Sequence, residues 1–282
     1  MSYCRIAVLG MGIIGSRVAA NLEKARLGHL TRWNRTPKGL PNESATVEEA
    51  AGDATHILLF LKDAAATREV AQKIFDLPPE DGRILVNHAT VDLATTQWLA
   101  KEAAARGIDF LDCPFTGSRE AAAQGNLVYY AGGPKDLIDR VEPLLLKSAK
   151  SVLRCGEAGS ATVMKLVTNL ISACTVQALA ESMATATRHG IAPEALIDAV
   201  SRNACGSVLA AMKLPTMASG DFDTHFSLSN MLKDSRYVLE LAEQAGIETP
   251  AIRTVSTRMQ ELCDKGLADK DYSALAAPYL QS

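Results

Sequence analysis

The feature that most constrains this chain is a glycine-rich turn set between a strand pattern and a helix pattern. A short apolar run, Cys4–Leu9, leads directly into Gly10-Met11-Gly12-Ile13-Ile14-Gly15, and a helical pattern continues to Leu27. This glycine spacing predicts a tight turn at Gly10, backbone open to a ligand at Gly12, and close packing of helix on strand at Gly15. Because helix N-termini attract anions, the motif indicates a site for the diphosphate of a dinucleotide.

Short strand-like runs alternate with alanine-rich helical stretches through the first half of the chain. The runs are rich in Ile, Val, Leu or aromatic residues and have Gly, Pro or Asp nearby, as buried strands do. The predicted strands are Cys4–Leu9, His29–Asn34, Thr55–Leu61, Arg83–Asn87, Ile108–Asp112, Asn126–Ala131 and Ser151–Arg154. The predicted helices between them are Ile13–Leu27, Ala64–Phe75, Leu93–Arg106 and Lys135–Leu146. This alternation predicts an α/β fold of Rossmann type, with a doubly wound, mostly parallel sheet buried on both faces.

The alternation stops near Gly159. A segment of about 30 residues without Pro or Gly, Ser160–His189, predicts one long helix, and its apolar residues all round predict that it is buried between other elements. Only helical patterns follow: Pro193–Arg202, Leu209–Met217, Leu228–Ala245, Ala251–Lys265 and Tyr272–Leu280. We therefore predict a dinucleotide-binding domain over residues 1–159 and an all-α domain, built on the long interdomain helix, over residues 160–282.

Composition excludes several classes of function. Lys and Arg total 29 against 32 acidic residues, a formal charge of -3. The chain therefore lacks the excess of positive charge that is typical of proteins that bind nucleic acid or an anionic membrane. No apolar run was found to approach the roughly 20 residues that span a bilayer, and the N-terminus has no signal-peptide layout. The cysteines are far apart in the sequence, which indicates reduced thiols and not a disulfide framework. Because thiols stay reduced in the cytosol, we expect a cytosolic protein. The histidines lack metal-ligand spacing, so we expect no catalytic metal.

The end of the second predicted strand bears on the choice of cofactor. A site for NAD usually carries an acidic residue there to bind the ribose 2′-hydroxyl, and this chain has Asn34-Arg35-Thr36 instead. With no carboxylate expected to repel a phosphate, Arg35 can pair with one, and the Asn34 amide and Thr36 hydroxyl can add donors. The sequence favours NADP(H), with NAD(H) as the less favoured alternative.

Two polar residues interrupt the apolar surface of the long helix. Lys165 and Asn169 are four residues apart and share a face. A lysine surrounded by apolar groups must be paired or have a lowered pKa, and a lowered pKa suits general acid catalysis near neutral pH. The residues alone also allow a lysine whose charged end reaches solvent.

Four blocks, in order along the chain, resemble the β-hydroxyacid dehydrogenase family, whose members include 3-hydroxyisobutyrate dehydrogenase. They are Gly10–Ser16 continuing to Asn21-Leu22, Asp112–Ser118 with Gly125–Leu127 and Gly132-Gly133, Gly156–Asn169, and Met231–Asp234. The resemblance covers essentially the whole chain. It implies oxidation or reduction of a small hydroxy acid or aldehyde acid with a nicotinamide cofactor.

The resemblance also implies roles for individual residues. Lys165 is expected to be the general acid, and the base in the reverse direction, with Asn169 orienting it and the substrate. Substrate is expected to contact Thr90, Thr116, Gly117, Ser118, Phe226 and Asp234. The cofactor is expected to contact the glycine turn from Gly10 to Gly15, Asn34, Arg35, Thr36, Leu61, Lys62, Asp63, Thr90 and Lys233.

Within the family, Thr90-Val91-Asp92, Thr116–Ala123 and Ala268–Tyr272 resemble the glyoxylate/succinic semialdehyde reductase branch. Two departures put the exact substrate in doubt. Thr116 and Ser118 replace a serine and a glycine, and Asn87-His88-Ala89 replaces the usual Asp-Met-Ser, which could bring His88 near the nicotinamide.

The interpretation is therefore an NADP-dependent reductase of glyoxylate or succinic semialdehyde type. The alternatives are a 3-hydroxyisobutyrate or other β-hydroxyacid dehydrogenase working oxidatively, an imine reductase, and a dinucleotide-binding module without catalysis. Family analogy further predicts a homodimer or homotetramer. The expected small-molecule partner is an aldehyde acid or hydroxy acid, and neither nucleic acid nor a membrane is expected as a partner.

Overall fold

The structure is a computed structural model that describes residues 4–280. The chain divides into two compact units, one ending at Lys165 and the other beginning at Leu166. The division falls six residues after the predicted domain boundary, inside the long helix. The outer ends of the predicted domains, residues 1–3 and 281–282, lie outside the described residues.

An eight-stranded sheet forms the centre of the first unit. Its strands are β1 (Cys4–Leu9), β2 (Gly28–Trp33), β3 (His56–Leu59), β4 (Ile84–Asn87), β5 (Asp109–Asp112), β6 (Phe115–Thr116), β7 (Leu127–Gly132) and β8 (Ala149–Gly156). The order β2-β1-β3-β4-β5 is parallel throughout. Strand β7 joins β5 in the antiparallel sense and pairs with β6 and β8. The predicted doubly wound sheet is confirmed, with β6 as an additional short strand.

Helices cover both faces of this sheet. They are α1 (Gly15–Ala25), α2 (Val47–Ala51), α3 (Ala64–Phe75), α4 (Leu93–Ala104), α5 (Arg119–Ala123) and α6 (Lys135–Leu145). Along β1, Ile6 and Val8 belong to one hydrophobic cluster, whereas Ala7 and Leu9 belong to another. Since successive side chains of a strand point to opposite faces, β1 is buried on both sides, as predicted.

The second unit is helical, as predicted. Helix α7 (Ser160–Arg188) enters it and is followed by α8 (Pro193–Ser201), α9 (Val208–Ser219), α10 (Leu228–Gln244), α11 (Pro250–Leu262) and α12 (Ala277–Leu280). The predicted last helix, Tyr272–Leu280, is instead a 3-10 turn over Tyr272–Ala276 followed by the single turn of α12. The core of this unit packs apolar residues of α7, α9, α10 and α11 together.

Helix α7 differs from its prediction in two respects. By length and composition it could cross a membrane, since it has 29 residues and an 18-residue window of mean hydropathy 1.4, contrary to the expectation that no such segment exists. It is also not buried all round. Met164, Val167 and Ile171 are exposed by 41%, 39% and 62%.

Candidate active-site residues

The glycine turn has the geometry that a dinucleotide requires. Gly10 has φ +107°, and a Cβ atom there would lie 2.2 Å from the carbonyl oxygen of Phe60, so only glycine fits. At Gly12, by contrast, a Cβ atom would meet no heavy atom within 4 Å. The open backbone at Gly12 precedes the first turn of α1, where no side chain caps the helix. These residues fit a diphosphate held by backbone N–H groups and the helix dipole.

Asn34 ties the glycine turn to the end of β2. Its Oδ1 accepts a hydrogen bond from the N–H of Met11 at 2.9 Å, and its Nδ2 donates to the carbonyl oxygen of Thr36 at 2.7 Å. The side chain was predicted to donate to a phosphate. In the structure it also fixes the relative positions of two segments that were both predicted to bind cofactor.

Arg35 is exposed and pairs with a carboxylate that the sequence analysis did not anticipate. Its Nη2 lies 2.7 Å from Oε2 of Glu69, which belongs to α3. The expectation that no carboxylate stands near this position is therefore wrong. Glu69 is 34 residues further along the chain, and the sheet and helix packing bring it to the end of β2.

The segment after β3 was predicted to lie along the cofactor. Leu61 reaches the glycine turn, since its Cδ2 would be 3.3 Å from a Cβ atom at Gly10. Lys62 is exposed. Asp63 is the N-cap of α3, and its carboxylate accepts the N–H of Ala66 at 2.9 Å.

The predicted substrate loop is held against α1. Thr116 lies in β6, and Gly117 has φ +138°. The Ser118 hydroxyl accepts the N–H of Ala121 at 3.1 Å as the N-cap of α5, which explains why a serine is suitable where a glycine is usual. Asn21 of α1 donates from Nδ2 to the carbonyl oxygen of Ala122 at 2.8 Å, so the helix after the glycine turn supports this loop.

His88 is buried in the sheet rather than displayed to a ligand. It is 1% exposed, and its ring stacks on Phe60 with centroids 4.4 Å apart. Nδ1 lies 2.6 Å from the carbonyl oxygen of Cys113, and Nε2 has no hydrogen-bond partner among residues 4–280. Burial lowers the pKa of His88 to about 3, against the hydrogen bond to Cys113, so the ring is neutral. Thr90, two residues on, is half-buried after β4.

Asp112, at the end of β5, holds the first turn of α7. Its Oδ2 accepts the N–H groups of Gly159 and Thr162 at 3.0 and 2.8 Å, and its Oδ1 accepts the Thr162 hydroxyl at 2.8 Å. The side chain is fully buried. Burial raises the pKa of Asp112 to about 6, although the hydrogen bonds from Thr162 and Gly159 oppose the rise.

This pKa leads to a prediction about stability. The folded chain binds the proton of Asp112 more tightly than the unfolded chain, where the pKa of aspartate is about 4. The group therefore stabilises the fold fully below about pH 4, and this contribution of about 3 kcal/mol is lost as the pH rises to about 6 and beyond. We expect Asp112→Asn, whose amide does not ionise, to remove that part of the pH dependence. Urea unfolding of both proteins across this pH range checks it, and parallel curves would contradict it.

In the second unit, three of the predicted residues form one polar cluster. Asn169, on α7, donates from Nδ2 to Oδ2 of Asp234 at 2.7 Å, and Lys233 Nζ lies 2.8 Å from Oδ1 of Asp234. Asn169 and Asp234 are 8% and 1% exposed. Lys233 also lies over the ring of Tyr237, 5.0 Å from its centroid. Asp234 thereby fixes the orientation of both the amide and the ammonium group.

Lys165 precedes Asn169 by one turn of α7. It is half-buried, and it is the last residue of the first unit. Helical periodicity puts both residues on the same face of α7, as predicted.

Sequence reasoning missed a buried ion pair beneath Phe226. Lys213 Nζ, on α9, lies 2.6 Å from Oδ1 of Asp271, and the two side chains are 6% and 2% exposed. Oδ2 of Asp271 accepts the N–H groups of His225 and Phe226 at 3.2 and 3.0 Å. Burial opposes the charge of Asp271, but the hydrogen bond and charge of Lys213 hold the pKa of Asp271 below its usual value. A lone lysine inside an apolar helix was the available signal.

Comparison with known proteins decides the family. The model for the NAD-binding domain of 6-phosphogluconate dehydrogenase matches residues 5–156, and the model described as NAD-binding of NADP-dependent 3-hydroxyisobutyrate dehydrogenase matches residues 159–279. Glyoxylate/succinic semialdehyde reductase 2 of Arabidopsis thaliana is 32% identical over 281 residues, covering 96% of this chain and 78% of the relative. The chain belongs to the β-hydroxyacid dehydrogenase family. Glyoxylate/succinic semialdehyde reductase 1 of the same plant is 26% identical, covering 96% of each chain.

Solved structures agree on the fold. The 3-hydroxyisobutyrate dehydrogenase of Mycobacterium tuberculosis, solved with L-serine, superposes with a TM-score of 0.87 at 23% identity and covers 98% of this chain and 99% of its own. As a member of the β-hydroxyacid dehydrogenase family, this protein is an NAD(P)-dependent dehydrogenase or reductase. It binds a nicotinamide dinucleotide, for which the glycine turn supplies the fitting geometry.

Within residues 4–280, no group of three or more His, Cys, Asp or Glu side chains is arranged to hold an ion. The polar groups gathered around Asn169 and Asp234 suit proton transfer and hydrogen bonding to a substrate.

Proposed function

We propose that this enzyme uses NADPH to reduce a small aldehyde acid, of glyoxylate or succinic semialdehyde type, to the hydroxy acid. The observation that carries the proposal is the buried cluster of Asn169, Lys233 and Asp234, one helical turn after Lys165. It supplies a fixed amide and one ammonium group, and Lys165 adds a second ammonium group from the preceding turn of α7; such groups are suited to an anionic substrate with a carbonyl. The 32% identity to glyoxylate/succinic semialdehyde reductase 2 supports the substrate class.

In this proposal, different residues of the chain transfer the proton, orient the carbonyl and bind the carboxylate of the substrate. When bound, NADPH would supply the hydride for the carbonyl carbon. The Lys165 ammonium gives a proton to the carbonyl oxygen and is left as a neutral amine, which water reprotonates. Asn169, held by Asp234, orients the carbonyl, and the Thr116 and Ser118 hydroxyls with the Gly117 backbone hold the substrate carboxylate.

Isotope transfer tests the reaction type. Incubation with glyoxylate and NADPH deuterated at the transferable C4 position should give glycolate that carries deuterium on carbon. This transfer follows because hydride passes directly between the two carbon atoms without exchange with water. Mass spectrometry of the product measures it, and glycolate without deuterium would contradict direct hydride transfer.

The preference for NADP rests on Arg35. Its guanidinium has the geometry to bind the 2′-phosphate with two parallel hydrogen bonds, whereas NAD offers a neutral hydroxyl there. We expect Arg35→Ala to weaken NADPH binding roughly 10- to 100-fold, the range for a lost hydrogen bond between charged groups, and to leave NADH binding nearly unchanged. Equilibrium titration with each dinucleotide measures both values. Equal losses for both would refute the assignment of Arg35 to the phosphate.

Oxidation of a β-hydroxy acid is the second candidate. The match of residues 159–279 to a model of NADP-dependent 3-hydroxyisobutyrate dehydrogenase favours it. The same residues serve, with Lys165 as the base that removes the hydroxyl proton. Values of kcat/KM for 3-hydroxyisobutyrate with NADP, set beside those for the aldehyde acids with NADPH, separate the two candidates.

A further inference from the structure

The pair of Arg35 and Glu69 stands where the dinucleotide's adenosine ribose is expected. Arg35 follows β2, and Glu69 lies in the second turn of α3. The two side chains meet at 2.7 Å while remaining 63% and 55% exposed. Neither is built into the core, so both are free to make other contacts when a ligand arrives.

This pairing has a consequence for a phosphate bound by the same guanidinium. In the structure Nη2 of Arg35 is occupied by the Glu69 carboxylate. A 2′-phosphate binding with two parallel hydrogen bonds needs the edge of the guanidinium plane, so it must displace the carboxylate or share the group with it. NAD carries a neutral hydroxyl at this position, so its binding does not require Arg35 to leave the carboxylate.

We propose that Glu69 is a specificity-determining residue, which lowers the preference for NADP over NAD by competing with the 2′-phosphate for Arg35. The inference rests on the proposed role of Arg35 in the preceding subsection. The carboxylate that an NAD site usually carries at the end of β2 is absent from the local sequence, and α3 supplies one from elsewhere in the chain. The enzyme therefore has an NADP site whose selectivity is held below what Arg35 alone would give.

Equilibrium dissociation constants for NADPH and NADH test this without relying on turnover. We expect Glu69→Gln, which keeps the shape and removes the charge, to tighten NADPH binding about three- to tenfold and to leave NADH binding within about twofold, as befits one exposed ion pair. In an Arg35→Ala background, the same substitution should have no effect on either dinucleotide. The gain for NADPH should shrink at high salt, because the groups are exposed.

A matched control is Glu102→Gln. Glu102, on α4, forms a partly exposed pair with Arg106, just after that helix and outside the segments assigned to cofactor, and its loss should change neither dissociation constant. Thermal unfolding of each variant checks that exposed substitutions leave the fold intact.

These outcomes distinguish a failure of the role of Glu69 from a failure of the NADP assignment on which it rests. If Arg35→Ala weakens NADPH selectively but Glu69→Gln changes nothing or weakens NADPH, the role of Glu69 is wrong and the NADP assignment stands. The role of Glu69 is also wrong if its effect persists without Arg35. Equal losses of NADPH and NADH in Arg35→Ala overturn the NADP assignment and this inference together.

Discussion

Replacing Lys165 with alanine should lower kcat by roughly 10²–10⁴-fold, the usual contribution of a general acid. Without the ammonium group, the carbonyl oxygen must take its proton from water while the hydride arrives. The dissociation constant for NADPH should stay within about twofold, because the proposed contacts with the dinucleotide are the glycine turn and Arg35, whereas the proposed role of Lys165 is toward the substrate. Steady-state kinetics with an aldehyde acid, together with a cofactor titration, measure the two effects.

Lys135→Ala is the matched control for this substitution. Lys135 is a surface lysine on α6 with 84% of its side chain exposed, and its partner Asp139 lies one turn away. Its loss should leave kcat unchanged. A Lys165→Ala enzyme that retains a kcat close to that of the unaltered enzyme would remove Lys165 from the proton transfer.

Replacing Asp271 with alanine should lower the free energy of unfolding by about 3–5 kcal/mol, because it leaves a buried ammonium without its counter-charge. Lys213 is 6% exposed and cannot readily reach water. The substitution also strips the acceptor from the N–H groups of His225 and Phe226, which directly precede α10. Since α10 carries Lys233 and Asp234, we expect KM for the substrate to rise in the protein that still folds. Denaturant unfolding and kinetics measure the two effects.

The double variant Asp271→Ala, Lys213→Met separates lost charge from lost positioning. It removes both buried charges, and we expect it to recover much of the stability but not the low KM, because Phe226 still lacks its acceptor. Loss of an exposed pair, as in Arg202→Ala at the C-cap of α8, should cost less than about 1 kcal/mol. A comparable loss of stability in Asp271→Ala and Arg202→Ala would contradict the account of the buried pair.

The sheet was predictable because its strands are short, apolar and separated by clear turns. All seven predicted strands match strands of the sheet, namely β1 to β5, β7 and β8, within two residues at each end. Strand β6 was missed since it has only two residues, directly after Pro114, and α5 was missed since its five residues carry no periodic pattern. The long helix α7 was predicted by its length, but its exposed apolar side was not, because periodicity cannot say which neighbours a helix lacks.

The site was predictable where its chemistry lies in local motifs and unpredictable where it depends on distant pairs. The glycine turn and the spacing of Lys165 and Asn169 are local. The contact between Asn169 and Asp234 joins residues 65 apart, and Lys213 and Asp271 are 58 apart. Glu69 reaches Arg35 from α3, 34 residues further along the chain, so the local sequence around Arg35 suggested a site free of carboxylates. The predicted contacts with substrate and cofactor remain predictions.

Reduction of aldehyde acids with NADPH is the proposed reaction of this enzyme. Initial rates of NADPH loss with glyoxylate, with succinic semialdehyde and with an uncharged aldehyde of the same length, each repeated with NADH, test it most directly. We predict turnover with the acids, a much lower kcat/KM for the uncharged aldehyde, and a higher kcat/KM with NADPH than with NADH. Tight binding of NADPH without turnover of either acid, or equal rates with the uncharged aldehyde, would contradict the claim.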